Sequence, residues 1–363
     1  MQSDLHWTSV AGNAIKPRLT SNNFFIDNSD VMLAGHFTER RTVKLIEVDE
    51  PQLPSASEQP GQIIFQPELT CLCGSDLPFF DGDFEGHDIP YPQPVGMSLH
   101  EMVGTVVDTN GKRWTPGTRV LAVPVEQKGL VERYVLDESR SIALDPRLSD
   151  EIALMAQPFG TVIWALQKLP NMIDRDVVVL GLGPIGQMFV TGLRNMGARH
   201  IIGIDPLSDR AEIATQMGAT EVISSHGKDA IEQVKAILNG ELPQVVIEAV
   251  GHQVHAFDAA VQLCCDHGDV LVFGVPPLST QINLRAAMWK NVRVLTSIHP
   301  TFERSFPLAM QWLGEGRVDL SPLLTHRFPL ADIQQAFDLF RDRKDGAIKV
   351  LVEFPALIHG RPA

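Results

Sequence analysis

The sequence predicts an α/β protein built from two parts, a β-rich barrel or sandwich and a doubly wound parallel sheet. Two textures carry this expectation. From Val31 to about Asp145 short strand-like segments are punctuated by Pro and Gly, the pattern of a small β-structure. From Asp176 onward, apolar β-branched runs alternate with helix-like stretches, the pattern of a parallel sheet covered on both faces. A chain of 363 residues also exceeds what one hydrophobic core usually serves, so two domains are expected.

Taken in order, residues 1–30 are polar, with Asn and Ser clusters. They read as an N-terminal extension, either an arm against a partner subunit or a disordered tail. Strand-like segments follow at Arg41–Val48, Gln62–Gln66, Glu101–Val107 and Thr118–Val123. Ser149–Leu166 turns helical, with Ser149 or Asp150 as the cap and Glu151 in the first turn. Further strands are expected at 177–180, 201–204, 222–224, 245–248, 270–273 and 292–296. Helices are expected at Phe306–Gly314 and Leu330–Arg341. The closing run Ala347–Phe354 reads as a strand returning to the first part. The expected division is 31–160 with 298–363 for that part and 161–297 for the parallel-sheet part.

The segment Val177 to Gly186 runs from a buried strand into Gly181-Leu182-Gly183-Pro184-Ile185-Gly186 and then into helix-like sequence. Asp205 follows Gly186 by nineteen positions, at the end of a second apolar run. Strand, glycine turn, helix, strand and acid make a dinucleotide-binding Rossmann unit. Gly181 permits the tight turn, Gly183 lets backbone approach a pyrophosphate, and Gly186 permits close helix–strand packing. The helix N-terminus, with Pro184 and Ile185 in its first turn, offers free N–H groups to the diphosphate. A carboxylate at Asp205 accepts bonds from ribose hydroxyls and repels a 2′-phosphate, which favours NAD over NADP. The next cation is Arg210, included with the cofactor-binding residues. Asp205 also fits a helix N-cap or turn.

The formal net charge of −14 argues against nucleic acid and anionic membrane surfaces as partners. No apolar run approaches the roughly 18 residues of a membrane span, and residues 1–20 lack the apolar core of a secretory signal. The four cysteines, Cys71, Cys73, Cys264 and Cys265, suggest no disulfide framework, so a cytoplasmic setting is expected.

Singly, Cys73-Gly-Ser75-Asp76, His100-Glu101 and Gln157-Pro158 are weak signals, since lone Cys and His residues commonly just pack. Their order, ahead of the glycine motif, resembles the medium-chain zinc-dependent alcohol dehydrogenase superfamily, with sorbitol, threonine and glucose dehydrogenase-like members. The likeness runs from about Val31 to Phe354 and includes the segment Leu330-Ala-Asp-Ile-Gln-Gln-Ala-Phe. It implies a GroES-like β-barrel catalytic domain beside the Rossmann domain. It also implies a catalytic zinc held by Cys73 and His100, with Glu101 as a neighbouring or exchangeable ligand. Gln157 stands where the family usually has Cys or Glu. Thiolate and imidazole suit zinc, and a catalytic site keeps a position open for substrate. The resemblance makes Asp76 the residue that orients His100 from behind and Ser75 the hydroxyl that takes the substrate proton. Each also has a plainer reading, an Asx turn for Asp76 and local backbone bonding for Ser75. A site that has lost its metal is the plain reading for Cys73 and His100.

Two departures from the family pattern stand out. Pro78 occupies the position where many relatives carry the His that ends the proton relay, leaving ribose hydroxyls, water, Asp81 or His87 to serve. Between Thr118 and Tyr134 there is no cysteine, so the structural-zinc lobe is missing and one zinc per subunit is expected. Cys264-Cys265 read as structural, because adjacent cysteines rarely chelate one zinc. Cys71 is left out of the site, since a continuing strand turns it to the opposite face. Trp289, His299, Phe302 and Trp312 are cleft, core or interface residues.

The resulting expectation is reversible hydride transfer between a secondary alcohol, polyol or sugar and NAD, with zinc as Lewis acid. Rival readings are a zinc-free NAD(P)H enone or quinone reductase and a non-catalytic NAD-binding protein. By analogy with the family, a homodimer or homotetramer pairs through the edge of the nucleotide-domain sheet, with 273–283 as the expected segment.

Overall fold

The computed structural model describes residues 31–355, apart from 85–86, 252, 254 and 278–279. The proposed extension, 1–30, lies outside the described residues. A seven-stranded sheet forms the first half. From edge to edge it runs Leu324–Pro329, Lys349–Glu353, Gln62–Cys71, Met102–Thr109, Arg119–Ala122 and Ser141–Ala143, with Tyr134–Asp137 paired to Gln62–Cys71 off this path. The hairpin Val31–Glu39 and Thr42–Asp49 packs against it. The longest strand, Gln62–Cys71, carries Pro67, which has no N–H to give the ladder. The register with Met102–Thr109 shifts between Pro67 and Leu69, the usual accommodation of a strand proline. Gly104 lies opposite, where a Cβ would sit 2.0 Å from the Gln66 carbonyl.

The second half is a six-stranded parallel sheet in the order Glu221–Ile223, His200–Ile204, Asp176–Leu180, Val245–Glu248, Asp269–Val272, Arg293–Thr296. The six strands expected from the sequence are all present, each shifted by one residue at most at either end. Every residue of Asp176–Leu180 is buried, so this strand shows no alternation, as expected for the centre of a sheet covered on both faces. Chain order reverses between this strand and Val245–Glu248, so a crevice opens at their carboxyl ends.

Two helices join the halves. Ala156–Leu166 packs on Phe302–Gly314, and a Cβ on Gly160 would lie 2.4 Å from the Phe306 ring. Their side chains share one buried cluster with Leu69 and Val103 of the first sheet and Val177 and Val179 of the second.

Several elements differ from expectation. The stretch Ser149–Leu166 is two helices, Asp150–Leu154 and Ala156–Leu166, broken at Met155. Strands Tyr134–Asp137, Ser141–Ala143 and Leu324–Pro329 have weak local signals and form through long-range pairing, and Val31–Glu39 forms as a hairpin with Thr42–Asp49. Residues 273–283 contain no strand among those described. The edge strands of the parallel sheet are Arg293–Thr296 and Glu221–Ile223 instead.

Cys264 and Cys265 end the helix Ala256–Leu263. The Cys264 thiol is buried against the carbonyls of Gln244 and Asp269, and burial pushes its pKa up to about 12. Lys290 Nζ caps this helix, donating to the carbonyls of Val261, Gln262 and Cys264 at 3.1, 2.8 and 2.6 Å. Such a cap satisfies carbonyls that a helix end leaves unpaired. The pair therefore serves packing. Lys290→Met should lower stability by about 1–3 kcal/mol through the lost charged hydrogen bonds, read as a fall in chemical denaturation midpoint with an unchanged slope.

Candidate active site

Strand pairing assembles the site. Thr70 lies opposite Met102, so the chain leaving Gln62–Cys71 passes beside the chain entering Met102–Thr109. Cys73 and the His100–Glu101 pair are thereby brought together. On the other flank Leu351 pairs with Cys71 in antiparallel register, which carries Lys349 toward Cys73. The ligand atoms of Cys73, His100 and Glu101 all lie within 4.8 Å of one another.

Asp76 holds this arrangement from beneath. It is fully buried in a single 3-10 turn, Gly74–Asp76. Its Oδ2 accepts from the Cys73 N–H at 2.8 Å and its Oδ1 from the Leu99 N–H at 3.0 Å. Oδ1 also stands 3.5 Å from His100 Nδ1, within ion-pair reach. Burial raises the Asp76 pKa, but His100 and the two backbone donors outweigh it and hold the carboxyl below its usual value. Burial likewise opposes a proton on His100, yet Asp76 and Cys73 beside it hold the imidazole pKa well above its ordinary value. With Nδ1 turned to Asp76, Nε2 faces the site and lies 3.3 Å from Ser75 Oγ.

Glu101 is buried, and its Oε2 receives Lys349 Nζ at 2.5 Å and the Cys71 thiol at 2.6 Å. Burial and the neighbouring carboxylate push the Cys71 thiol pKa well up. Burial disfavours the Lys349 charge, but Cys71 and Glu101 overcome it and raise that pKa. Sequence reasoning missed both residues. The signal for Lys349 is a lysine inside the apolar run Ile348–Val352. The alternation argument does not bear on Cys71, because residues two apart such as Cys71 and Cys73 would share one face of a strand, and the strand ends at Cys71. Gln157 is buried in the first turn of Ala156–Leu166.

The donor set fits zinc. It combines a thiol, an imidazole whose far nitrogen is steered by a buried carboxylate, and a carboxylate in a water-poor pocket. Pro78 starts the short helix Leu77–Asp81. Asp81 is committed to Arg41 and Arg341 at 2.8 and 2.7 Å, and the His87 side chain lies outside the described residues. Between Ala122 and Tyr134 the chain forms only the 3-10 turn Val125–Gln127, where the sequence predicted a missing lobe. Phe302 and Trp312 pack on the shared core, Trp312 meeting Phe159 edge-on with the Arg317 guanidinium over its ring. Trp289 is exposed on the surface helix Leu284–Lys290, and His299 is exposed as well.

The glycine turn lies at the switch point of the parallel sheet. Gly181 has φ +93°, and a Cβ there would meet Ala249 backbone at 3.0 Å. A Cβ on Gly186 would lie 1.8 Å from the Gly181 carbonyl. Gly183 precedes the helix Pro184–Asn195, with Pro184 and Ile185 in its first turn. Asp205 Oδ2 accepts from the Leu182 N–H at 2.8 Å and from Arg210 at 3.0 Å, and Oδ1 from the Leu207 N–H at 2.9 Å. The acid thus steadies the glycine turn as well as ending the second strand. Gln187, buried, donates to the Leu182 and Arg210 carbonyls at 3.2 Å each, a tie the sequence did not suggest.

Two family models match the chain, an alcohol dehydrogenase GroES-like domain over residues 59–141 and a zinc-binding dehydrogenase over 184–315. Together they span more than half of it. The chain belongs to the medium-chain zinc-binding dehydrogenase superfamily. It is 26% identical over 323 residues to L-threonine 3-dehydrogenase of Coxiella burnetii, covering 80% of this chain and 92% of that protein. The solved alcohol dehydrogenase of Thermus sp. ATN1 superposes with a TM-score of 0.78 at 24% identity, covering 89% of this chain and all of that one. L-idonate 5-dehydrogenase of Escherichia coli gives a TM-score of 0.77 at 19% identity, with 89% and 98% covered. These likenesses establish the α/β fold of this superfamily, a GroES-like domain joined to a Rossmann sheet. No described helix is long and apolar enough to cross a membrane.

If Asp76 steers His100, Asp76→Ala should weaken zinc binding by about 10–100-fold, measured by competition with a chromogenic chelator.

Proposed function

We propose that the chain is an NAD-dependent zinc dehydrogenase that moves hydride between the CH–OH group of a secondary alcohol, polyol or sugar and the nicotinamide. The observation that carries this reading is the convergence of Cys73, His100 and Glu101 in a chain whose glycine turn is steadied by Asp205 at the end of the next strand. Cys73 and His100 would hold the zinc, with Glu101 and Gln157 as the remaining protein oxygens near it. Bound zinc supplies Lewis-acid charge that lowers the pKa of a substrate hydroxyl, and bound NAD accepts the hydride.

The chain's own residues do the rest. Asp76 fixes the His100 tautomer. Ser75 Oγ would accept the hydroxyl proton and pass it to water or a ribose hydroxyl, since Pro78 has nothing to offer. Gly181, Gly183 and Gly186 keep the turn open to a diphosphate. The helix start after Pro184 presents the N–H groups of Ile185 and Gly186. Asp205 and Arg210 face the adenosine ribose, with the carboxylate favouring NAD. The Cys73, His100 and nucleotide residues divide between a catalytic part, 31–160 with 298–363, and a nucleotide part, 161–297.

The chain's four free thiols suit a reducing cytoplasm. The partner of stated chemistry is a small alcohol or sugar. A homodimer or homotetramer is supported by the free sheet edge Arg293–Thr296 and by the exposed Leu284, Met288 and Trp289 beside it, an apolar surface that usually marks an interface.

The deciding experiment is zinc content per subunit in wild type and Cys73→Ser, with NAD reduction over a panel of polyols, sugars and secondary alcohols. About one zinc, lost in the variant together with activity, is the expected result; metal-free wild type sinks the reading. Ser75→Ala should then lower turnover by about 10²–10⁴-fold with zinc retained, and Ser75→Thr should recover most of it.

A further inference from the structure

Cys71 closes the strand Gln62–Cys71 and is wholly buried. Its thiol donates to Oε2 of Glu101 at 2.6 Å, and Lys349 Nζ reaches the same oxygen at 2.5 Å. Lys349 also meets the Leu72 carbonyl at 3.4 Å, so its head is fixed from two sides. The Glu101 main chain is fixed too, its carbonyl accepting from Thr70 Oγ1 at 2.7 Å and from the Cys71 N–H at 3.4 Å. Two donors from two different strands therefore converge on one carboxylate oxygen, and Oε1 takes no part in that pair. A carboxylate pinned through one oxygen loses its rotation about the last side-chain bond, so the direction of the other oxygen is set. Cys71 stands outside the group of mutually close ligand atoms that Cys73, His100 and Glu101 form.

We propose that Cys71 is a positioning residue for the metal: acting as a donor to Glu101 and not as a ligand, it aims that carboxylate at the site shared with Cys73 and His100. The proposal rests on the zinc reading above. Partners that orient a ligand commonly change metal affinity by about 10–100-fold when removed. Lysine alone cannot replace the thiol, because one donor leaves the carboxylate free to swing about the single remaining bond.

The test uses the full chain loaded with Co²⁺ in place of zinc. Thiolate-to-cobalt charge-transfer intensity counts thiolate ligands, and the visible ligand-field bands report the carboxylate's approach. In Cys71→Ala the charge-transfer intensity should match wild type and the visible bands should shift. The zinc-loaded variant should lose metal to a chelator about 10-fold faster. Cys71→Ser, which keeps a donor, should restore both readouts toward wild type. Cys71→Val, filling the volume without a donor, should behave as Cys71→Ala and serves if the alanine variant folds poorly. A fall in charge-transfer intensity would make Cys71 a ligand and overturn the proposal. Unchanged bands and release rate would reduce Cys71 to packing and overturn it equally. Failure of wild type to bind cobalt, or retention of cobalt by Cys73→Ser, brings down the zinc reading itself and is recognised before any Cys71 variant is compared.

Discussion

The site depends on one buried carboxylate. Asp76 receives a backbone N–H from Cys73 and another from Leu99 and faces the His100 ring. Cys73 and His100 belong to loops 27 positions apart in sequence, and Asp76 ties them by accepting the N–H groups of Cys73 and of Leu99, next to His100. Leu99 has φ +69°, an unfavourable conformation for a branched residue. The Asp76 bond to its N–H helps hold that backbone, and so fixes where His100 enters. A charge at zero exposure is tolerated only when its oxygens are fully engaged, and here the engagement is itself the positioning device. The plain Asx-turn reading of Asp76 and its orienting role are thus one structure, since the bond to Cys73 makes the turn and the rest of the carboxylate serves His100.

A second buried charge pair sits one layer deeper. Glu101 and Lys349 are 1% and 2% exposed, so their mutual attraction must offset desolvation of both. Such pairs seldom add net stability, yet removing one partner leaves an uncompensated charge costing about 3–5 kcal/mol. Apolar residues would serve the sheet better. Retaining the pair makes sense where a carboxylate must stay ionised beside a cation site, and Lys349 supplies the compensating charge when that site is empty. The closing strand Lys349–Glu353 is therefore part of the site as well as of the sheet.

The parallel sheet was fully legible because its signal is local. Buried runs such as Val177–Leu180 and Val245–Glu248 mark strands with no knowledge of partners, and a glycine turn after the first of them marks the crevice. The β-rich half was legible only in outline. Leu324–Pro329 and Ser141–Ala143 are strands because a neighbour pairs with them, and a hexapeptide such as Leu-Thr-His-Arg-Phe-Pro has little preference of its own. The site followed the same division. Cys73, His100 and Asp76 could be picked out through motif order, whereas Lys349 meets Glu101 across 248 positions, beyond any local pattern. Cys71 stays outside the ligand group, as expected, but its bond to Glu101 was not legible from spacing, because the two residues are thirty positions apart.

Pro78 is more than a missing histidine. It lies in the first turn of Leu77–Asp81, a helix whose Phe80 stacks on Phe337 and meets Phe37 edge-on. Asp81, an acid the sequence offered for the relay, is paired with Arg41 and Arg341. In the proposed mechanism the route passes through Ser75, whose hydroxyl lies 3.3 Å from His100 Nε2, and then through water or a ribose hydroxyl. A chain that gives up its relay histidine while keeping Cys73, Ser75, Asp76 and His100 has kept the groups that set geometry and shed only one whose task solvent can perform.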